Sequence, residues 1–138
     1  MASFFVRSSE RRTVRRAVTA QCQAVAMQDF RLFGERILDA STDGVLVACD
    51  TGVTLGEEVV LSFQMPSTGV WYDAEAEIAR VIEGYRTGDP GYCAGLRFTS
   101  IDRRLRLELG ADLHEQPIAT PARRLRTDYA KTILAIWG

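Results

Sequence analysis

Histidine is almost absent from this sequence, which holds a single one, His114, among its 138 residues. A serine or cysteine triad needs a histidine beside its nucleophile, and His114 lies in a segment that we predict to be a linker. The spacing of cysteines and carboxylates around His114 is not that of a metal site. We therefore expect a structural or solvent-exposed role for His114 and a protein that is not an enzyme, with no catalytic residue, metal or cofactor.

Cysteines and long apolar runs are scarce as well. The three cysteines, Cys22, Cys49 and Cys93, are widely spaced, odd in number and set in apolar runs, which is typical of reduced thiols in a core. The three-residue apolar patch near the amino terminus is shorter than the hydrophobic region of a signal peptide, and no run has the length of a membrane span. We expect a cytoplasmic protein without a membrane span.

An excess of charge of one sign is also missing, since 17 basic and 18 acidic residues leave a formal net charge of −1. This balance argues against bulk attraction to a nucleic acid polymer or an anionic membrane. The distribution is uneven, because residues 1–16 carry five arginines and one glutamate whereas residues 39–58 are acidic. A local binding site for an anion is therefore compatible with the sequence.

Alternation with a period of two from about residue 21 to residue 99 predicts an antiparallel β domain with one core. The clearest strand has Val59, Leu61 and Phe63 on one face and is ended by Pro66. Strands are predicted at residues 21–28, 35–39, 45–49, 58–65, 73–78 and 92–99, with a bulge near residue 79. Six short strands at this spacing favour a small closed barrel, a mainly β fold.

Two helices are predicted after the strands. Ser100 is a candidate N-cap for the first, whose apolar stripe would cover one end of the barrel, and Gly110 is a candidate for an early end. The stripe consists of Ile101, Leu105, Leu109 and Leu113. The second helix begins at Pro121, and its apolar side consists of Leu125, Tyr129, Ile133 and Ile136.

The apolar side of the second helix requires burial against the barrel, a second protomer or an effector protein. Of these, we favour a homodimer formed through this helix. The resulting organisation is an arginine-rich arm over residues 1–20, a barrel with its following helix over residues 21–113, and a linker with an amphipathic helix over residues 114–138.

Two polar motifs occur near the first strands. Arginines four apart in the segment Glu10-Arg11-Arg12-Thr13-Val14-Arg15-Arg16 supply planar donor forks that suit phosphate or the O6/N7 edge of guanine. In Asp39-Ala40-Ser41-Thr42-Asp43-Gly44, the carboxylate accepts from the donors of guanine, the hydroxyl reaches a phosphate, and the glycine lets the backbone turn beside a ligand. Together the motifs predict one site for a guanine-bearing phosphodiester.

With both motifs in place, residues 10–112 resemble the PilZ domain family, receptors for the bacterial second messenger cyclic di-GMP. The RxxxR motif of the family fits residues 12–16, and its [DN]xSxxG motif fits residues 39–44. The segment Gly95-Leu96-Arg97-Phe98 is similar to the late barrel strand of the family. Arg11 and Arg15 have the same spacing as Arg12 and Arg16, but the acidic residue and two arginines that open the family motif favour the pair Arg12 and Arg16.

The resemblance implies a PilZ-type barrel whose flexible amino-terminal arm becomes ordered around cyclic di-GMP. Arg12 and Arg16 would bind phosphate and guanine, Asp39 the guanine donors, and Ser41 with Gly44 a phosphate. In relatives an arginine at the position of Arg11 is associated with a pair of intercalated ligands, so we expect Arg11 to bind and two ligands per protomer. The messenger would then control contact with an unidentified downstream protein.

Other interpretations remain open. Each motif alone fits a solvated basic arm or an ordinary turn. An adaptor of the same fold would bind a partner protein constitutively and no nucleotide. Nucleic-acid binding by the arm is disfavoured by the near-neutral charge and by the scarcity of basic residues on the predicted strands.

Overall fold

The computed structural model describes residues 14–85, 87 and 90–119, and these residues form a closed antiparallel barrel followed by a helix. Around the barrel the strands follow the order β1-β2-β3-β6-β5-β4, and β4 closes it by pairing with β1. The mainly β, six-stranded fold predicted from the sequence is thereby confirmed. The strands are β1 (Arg16–Ala26), β2 (Arg31–Ala40), β3 (Gly44–Ala48), β4 (Glu58–Gln64), β5 (Trp71–Ile82) and β6 (Cys93–Ile101).

The core of the barrel comes from the alternation seen in the sequence. In β4, Val59, Leu61 and Phe63 are buried as predicted, while the residues between them face outward or are half-buried. The bulge predicted near residue 79 is also confirmed, because the pairing of β5 with β6 shifts between Ile78 and Arg80.

The first strand begins earlier than predicted. Residues 16–20 were predicted to belong to the arm, but β1 starts at Arg16, which pairs with Ala40 of β2. Its inward residues include Val18 and Ala20, each less than a tenth exposed. The buried face of the strand therefore extends further toward the amino terminus than predicted. The sequence signal for this extension is weak because the segment consists mostly of alanine and threonine.

The helix α1 (Arg103–His114) covers the barrel end at which β1, β3 and β5 begin. Its N-cap is Asp102, whose carboxylate accepts hydrogen bonds from the amides of Arg104 and Leu105. The prediction of Ser100 as the N-cap is wrong, because Ser100 still pairs with Glu75 in the sheet.

Two residues of the predicted stripe, Leu109 and Leu113, are buried in the barrel core, so the predicted covering of one barrel end is confirmed. Gly110 does not end the helix. The hydroxyl of Tyr72 donates to Asp112 of the helix, and the Tyr72 ring stacks on Phe63 with ring centroids 5.4 Å apart. These contacts hold α1 over the end of the barrel.

The cysteines are free thiols, as predicted, with Cys22 and Cys93 buried and Cys49 half-buried. Burial raises the pKa of the Cys22 thiol to about 12. The predicted second helix, from Pro121 onward, lies outside the described residues. In the part of the chain that the structure describes, no helix has both the length and the apolar character needed to cross a membrane.

Candidate functional site

The predicted acidic motif spans the end of β2, the turn of residues 41–43 and the start of β3, at the barrel end covered by α1. The backbone amide of Ser41 donates to the carbonyl of Gly44 at 2.8 Å, which closes the turn. The Ser41 hydroxyl accepts from the amide of Asp43 at 3.1 Å and lies 3.4 Å from the Gly44 carbonyl oxygen. Ser41 is only 2% exposed, so in this structure its hydroxyl shapes the turn.

Gly44 is required by the close approach of two strands. It pairs with Arg97 of β6, and a Cβ atom at position 44 would lie 2.0 Å from the carbonyl oxygen of Leu96. From the sequence, this glycine was expected to allow a sharp backbone turn. The structure adds a packing reason, because any side chain at this position would push β3 away from β6.

Asp39 is bound by Arg15. The Arg15 Nε atom donates to Asp39 Oδ1 at 2.7 Å, and Arg15 Nη2 lies at the same distance from that oxygen without hydrogen-bond geometry. The Asp39 side chain is 15% exposed and that of Arg15 is 38% exposed. An arginine and the carboxylate of the second motif therefore meet at the edge of the barrel.

Alternation along β1 explains why Arg15 reaches this carboxylate. Asp39 lies opposite Ala17 in the β1–β2 pairing, and side chains two residues apart point to the same face of a strand. Arg15 therefore shares the face of Asp39, whereas Arg16 lies opposite the buried Ala40. Arg12 and Arg16 are the pair predicted to bind the ligand, and this assignment stays a prediction.

Arg16 contacts the segment that follows α1. Its Nη1 atom donates to the Gln116 carbonyl oxygen at 3.0 Å. The backbones also pair, since Ala17 N donates to the Pro117 carbonyl at 2.7 Å and Ala119 N donates to the Arg15 carbonyl at 2.9 Å. Residues 117–119 thus add a short antiparallel bridge to the start of β1. Arg11 and Arg12 lie outside the described residues.

The helix also contacts the acidic turn directly. Arg106 of α1 forms an ion pair with Asp43, with Nη1 and Oδ1 3.3 Å apart. Gly110 faces the turn so closely that a Cβ atom there would lie 3.3 Å from Thr42 Cγ2. Sequence reasoning missed these contacts because they join residues more than 60 positions apart and carry no local pattern. They hold the turn against the helix that covers this end of the barrel.

His114 is exposed at the end of α1. Within the described residues, no three histidine, cysteine or acidic side chains cluster in a way that could hold a metal ion. The chemistry that the site offers is hydrogen bonding and charge: a partly exposed carboxylate, two arginines and a turn held in place by buried contacts.

Comparison with protein families gives a match that covers both motifs. The family model described as PilZ domain matches residues 6–115. No curated protein matches the sequence.

Solved structures share the fold. The inhibitor of motility MotI/DgrA of Bacillus subtilis superposes with a TM-score of 0.61 at 16% identity, over 75% of this chain and 49% of that one. This chain therefore spans about half of the Bacillus subtilis chain. The PilZ domain of YcgR from Escherichia coli, solved with c-di-GMP, also gives a TM-score of 0.61 at 16% identity, over 77% of this chain and 90% of that domain.

Proposed function

Because this chain belongs to the PilZ domain family, we propose that it is a non-enzymatic receptor for cyclic di-GMP. Ligand binding would be coupled to contact with another protein. The observation that carries the proposal is the meeting of the arginine segment and the acidic turn at one barrel end, where Arg15 and Asp39 lie 2.7 Å apart. The similarity to the YcgR domain with c-di-GMP supports the same ligand.

The geometry of Asp39 suits the donor edge of guanine. Arg15 contacts only Oδ1, so the second carboxylate oxygen keeps its lone pairs for the N–H groups of the base. Arg15 also holds the carboxylate in a fixed orientation, which lowers the ordering cost of binding. In this proposal Arg15 positions Asp39, and Asp39 selects the base.

The remaining predicted residues contribute cations and shape. Arg16 donates one hydrogen bond, from Nη1 to the Gln116 carbonyl oxygen. Its other guanidinium N–H groups are left to bind a phosphate. Ser41 and Gly44 hold the turn that follows the end of β2, where Asp39 lies. Arg11 and Arg12, which lie outside the described residues, would close over the nucleotide from the amino-terminal side, and Arg11 would support a second ligand molecule.

Isothermal titration with cyclic di-GMP tests the proposal. We expect binding by the wild-type protein and a loss of affinity on the order of tenfold to a hundredfold in Asp39→Ala and in Arg16→Ala, since a hydrogen bond to a charged group contributes about 1.5–3 kcal/mol. The matched control is Arg103→Ala, which removes an exposed arginine at the start of α1 and should bind as the wild type does.

Unchanged affinity in both Asp39→Ala and Arg16→Ala would contradict the assignment of the site. The titration also gives the stoichiometry, and two ligands per protomer are expected.

A second candidate is an adaptor of the same fold that binds a partner protein without nucleotide. The Arg15–Asp39 ion pair favours it, because a site that satisfies its own charges needs no ligand to neutralise them. The two functions differ in the first measurement above. The adaptor would give no heat with cyclic di-GMP at concentrations where the receptor is saturated.

A further inference from the structure

Three apolar residues on neighbouring strands form a row on the outer surface of the barrel. Leu32 of β2 lies opposite Val25 of β1, and Val25 lies opposite Val60 of β4. The residues on either side of Val60 in sequence belong to the core, and side chains alternate along a strand, so Val60 faces outward. Leu32 and Val60 are 44% and 43% exposed. The row is therefore an apolar strip that is open to solvent.

The hairpin between β1 and β2 extends this apolar surface at the barrel end opposite α1. It carries Met27, which is exposed, and Phe30, which is 83% exposed. Phe30 also has a φ of 55°, a left-handed conformation that bulky residues rarely adopt. Neither this strain nor the exposure of the ring stabilises the isolated barrel. Both are expected at a surface that another chain covers. The apolar row and the two hairpin residues together form the outer patch.

One side of the outer patch is acidic. Glu75 of β5 lies opposite Val60, and Glu58 and Glu77 lie opposite each other further along the same two strands. Glu77 is paired with Arg97, whereas the side chains of Glu58 and Glu75 have no hydrogen bond or ion pair with any residue that the structure describes. Like charges directly opposite each other destabilise a sheet. The patch would therefore repel a nucleic acid or an anionic membrane and suits an apolar segment that carries basic residues.

The chain itself contains a segment of this kind. Residues 120–138, which lie outside the described residues, carry four basic residues and one acidic residue. The apolar side predicted for this segment consists of Leu125, Tyr129, Ile133 and Ile136. Its apolar residues match the outer patch, and its positive charge matches the neighbouring carboxylates.

The segment leaves the barrel at the end opposite the outer patch. Residues 117–119 run antiparallel to β1, past its first residues and away from Val25. Val25 lies about 30 Å along β1 from Arg16, whereas a helix from Pro121 to Ile136 is about 24 Å long. On its own barrel the helix would therefore end short of the patch. The segment of a second copy of the chain has no such limit.

We propose that the outer patch binds residues 120–138 of a second copy of this chain. The apolar side of the segment lies on the row, and its basic residues face Glu58 and Glu75. A two-fold axis repeats the contact, so each protomer gives its segment and receives that of the other. This inference goes beyond the proposed receptor function, because the patch lies at the other end of the barrel from Asp39.

Sedimentation equilibrium of the full-length protein tests the proposal. We expect the wild type to dimerise, and Val60→Lys and Ile133→Lys each to dimerise about tenfold or more weakly, because a charge buried without a partner opposes association. A lysine at position 60 lies opposite Glu75, which favours the sheet while it repels the basic segment. The matched control is Thr19→Lys, at an exposed position of β1 nearer the other end of the barrel, which should dimerise as the wild type does.

Mixing the two variants separates this contact from a loss of folding. A mixed dimer of Val60→Lys and Ile133→Lys keeps one intact contact, so the mixture should associate more tightly than either variant alone. Equal thermal unfolding midpoints of the variants and the control show that all of them are folded.

Three results would overturn the inference. These are a wild type that stays monomeric, Val60→Lys dimerising as strongly as Thr19→Lys, and a mixture no tighter than its components. The receptor function is tested separately by titration with cyclic di-GMP. A wild type that dimerises in this way but binds no nucleotide would refute that function and leave the inference standing.

Discussion

At the scale of single residues, the site depends on which side chains alternation brings to the same face. Arg15 shares a face with Asp39, whereas the adjacent Arg16 turns toward the backbone after α1. A shift of one residue would exchange these roles, because neighbouring side chains in a strand point to opposite sides. Gly44 contributes in a different way, by allowing β3 and β6 to approach each other.

Replacing Gly44 by alanine should destabilise the fold strongly. The new Cβ atom would lie 2.0 Å from a backbone oxygen of β6, so the strands must move apart, and we expect a loss at the upper end of about 1–3 kcal/mol or beyond. Urea unfolding followed by circular dichroism gives the change in unfolding free energy. The matched control is Gly52→Ala, whose nearest neighbour would be the Tyr92 hydroxyl at 4.0 Å; equal stabilities of the two variants would contradict this explanation.

At the scale of elements, the barrel end is held by contacts from α1 and from the segment that follows it. Arg106 and Gly110 of the helix fix the acidic turn. Residues 117–119 pair with the start of β1, which places a strand-like segment at an edge that β4 leaves uncovered, since the β1–β4 pairing extends only from Cys22 to Ala26. The arginine segment is therefore joined to the region after the helix.

Proline at position 119 should weaken the bridge between residues 117–119 and the start of β1. Ala119→Pro loses the amide that donates to the Arg15 carbonyl at 2.9 Å, at a cost of about 0.5–1.5 kcal/mol. Amide hydrogen exchange should show weaker protection at Ala17, the other bonded amide of the bridge. Ala119→Gly keeps the N–H group and serves as the control, and unchanged protection at Ala17 in the proline variant would argue against the bridge as a stabilising element.

The strands were predictable because their signal is local. A buried face with a period of two, as in Val59, Leu61 and Phe63, predicts a strand without knowledge of its neighbours. The start of α1 was not predictable in this way, because Ser100 and Asp102 are both good N-caps. Only the pairing of Ser100 with Glu75 in the sheet decides between them. Pairing across the sheet is information that one segment does not contain.

For the site, the residues of both motifs were predictable from the sequence. The residues that each motif residue contacts were not. The link between Arg15 and Asp39 depends on where β1 begins and on the register shift between Ala17 and Ala20. The ion pair between Arg106 and Asp43 depends on how α1 packs across the end of the barrel. Neither property follows from spacing along the chain.

At the scale of the whole molecule, the closed barrel keeps ionisable groups in an apolar interior. Burial raises the pKa of Cys22 to about 12, and it also raises the pKa of Tyr72, assisted by the hydrogen bond to Asp112. Both groups are protonated at neutral pH in the folded and the unfolded chain. Their effect on stability therefore appears only in alkaline solution.

The free energy of unfolding should fall as the pH rises from about 9 toward 12. The unfolded chain releases the Cys22 proton near the ordinary thiol pKa of 9.0, while the folded chain keeps it until about 12. Each pH unit in this window therefore costs up to about 1.4 kcal/mol per thiol. Cys22→Ala should show a shallower decline, measured by urea unfolding under reducing conditions. Data at pH 7 correct for lost packing, and identical slopes for the variant and the wild type would contradict the role of this thiol.

The bridge between residues 15–17 and 117–119 also sets where the two ends of the described chain leave the barrel. They emerge side by side from the same rim. A donor fluorophore attached just before Val14 and an acceptor attached just after Ala119 would start at short separation, so a fall in energy transfer between them would report opening of this rim directly, independently of any heat released by a nucleotide.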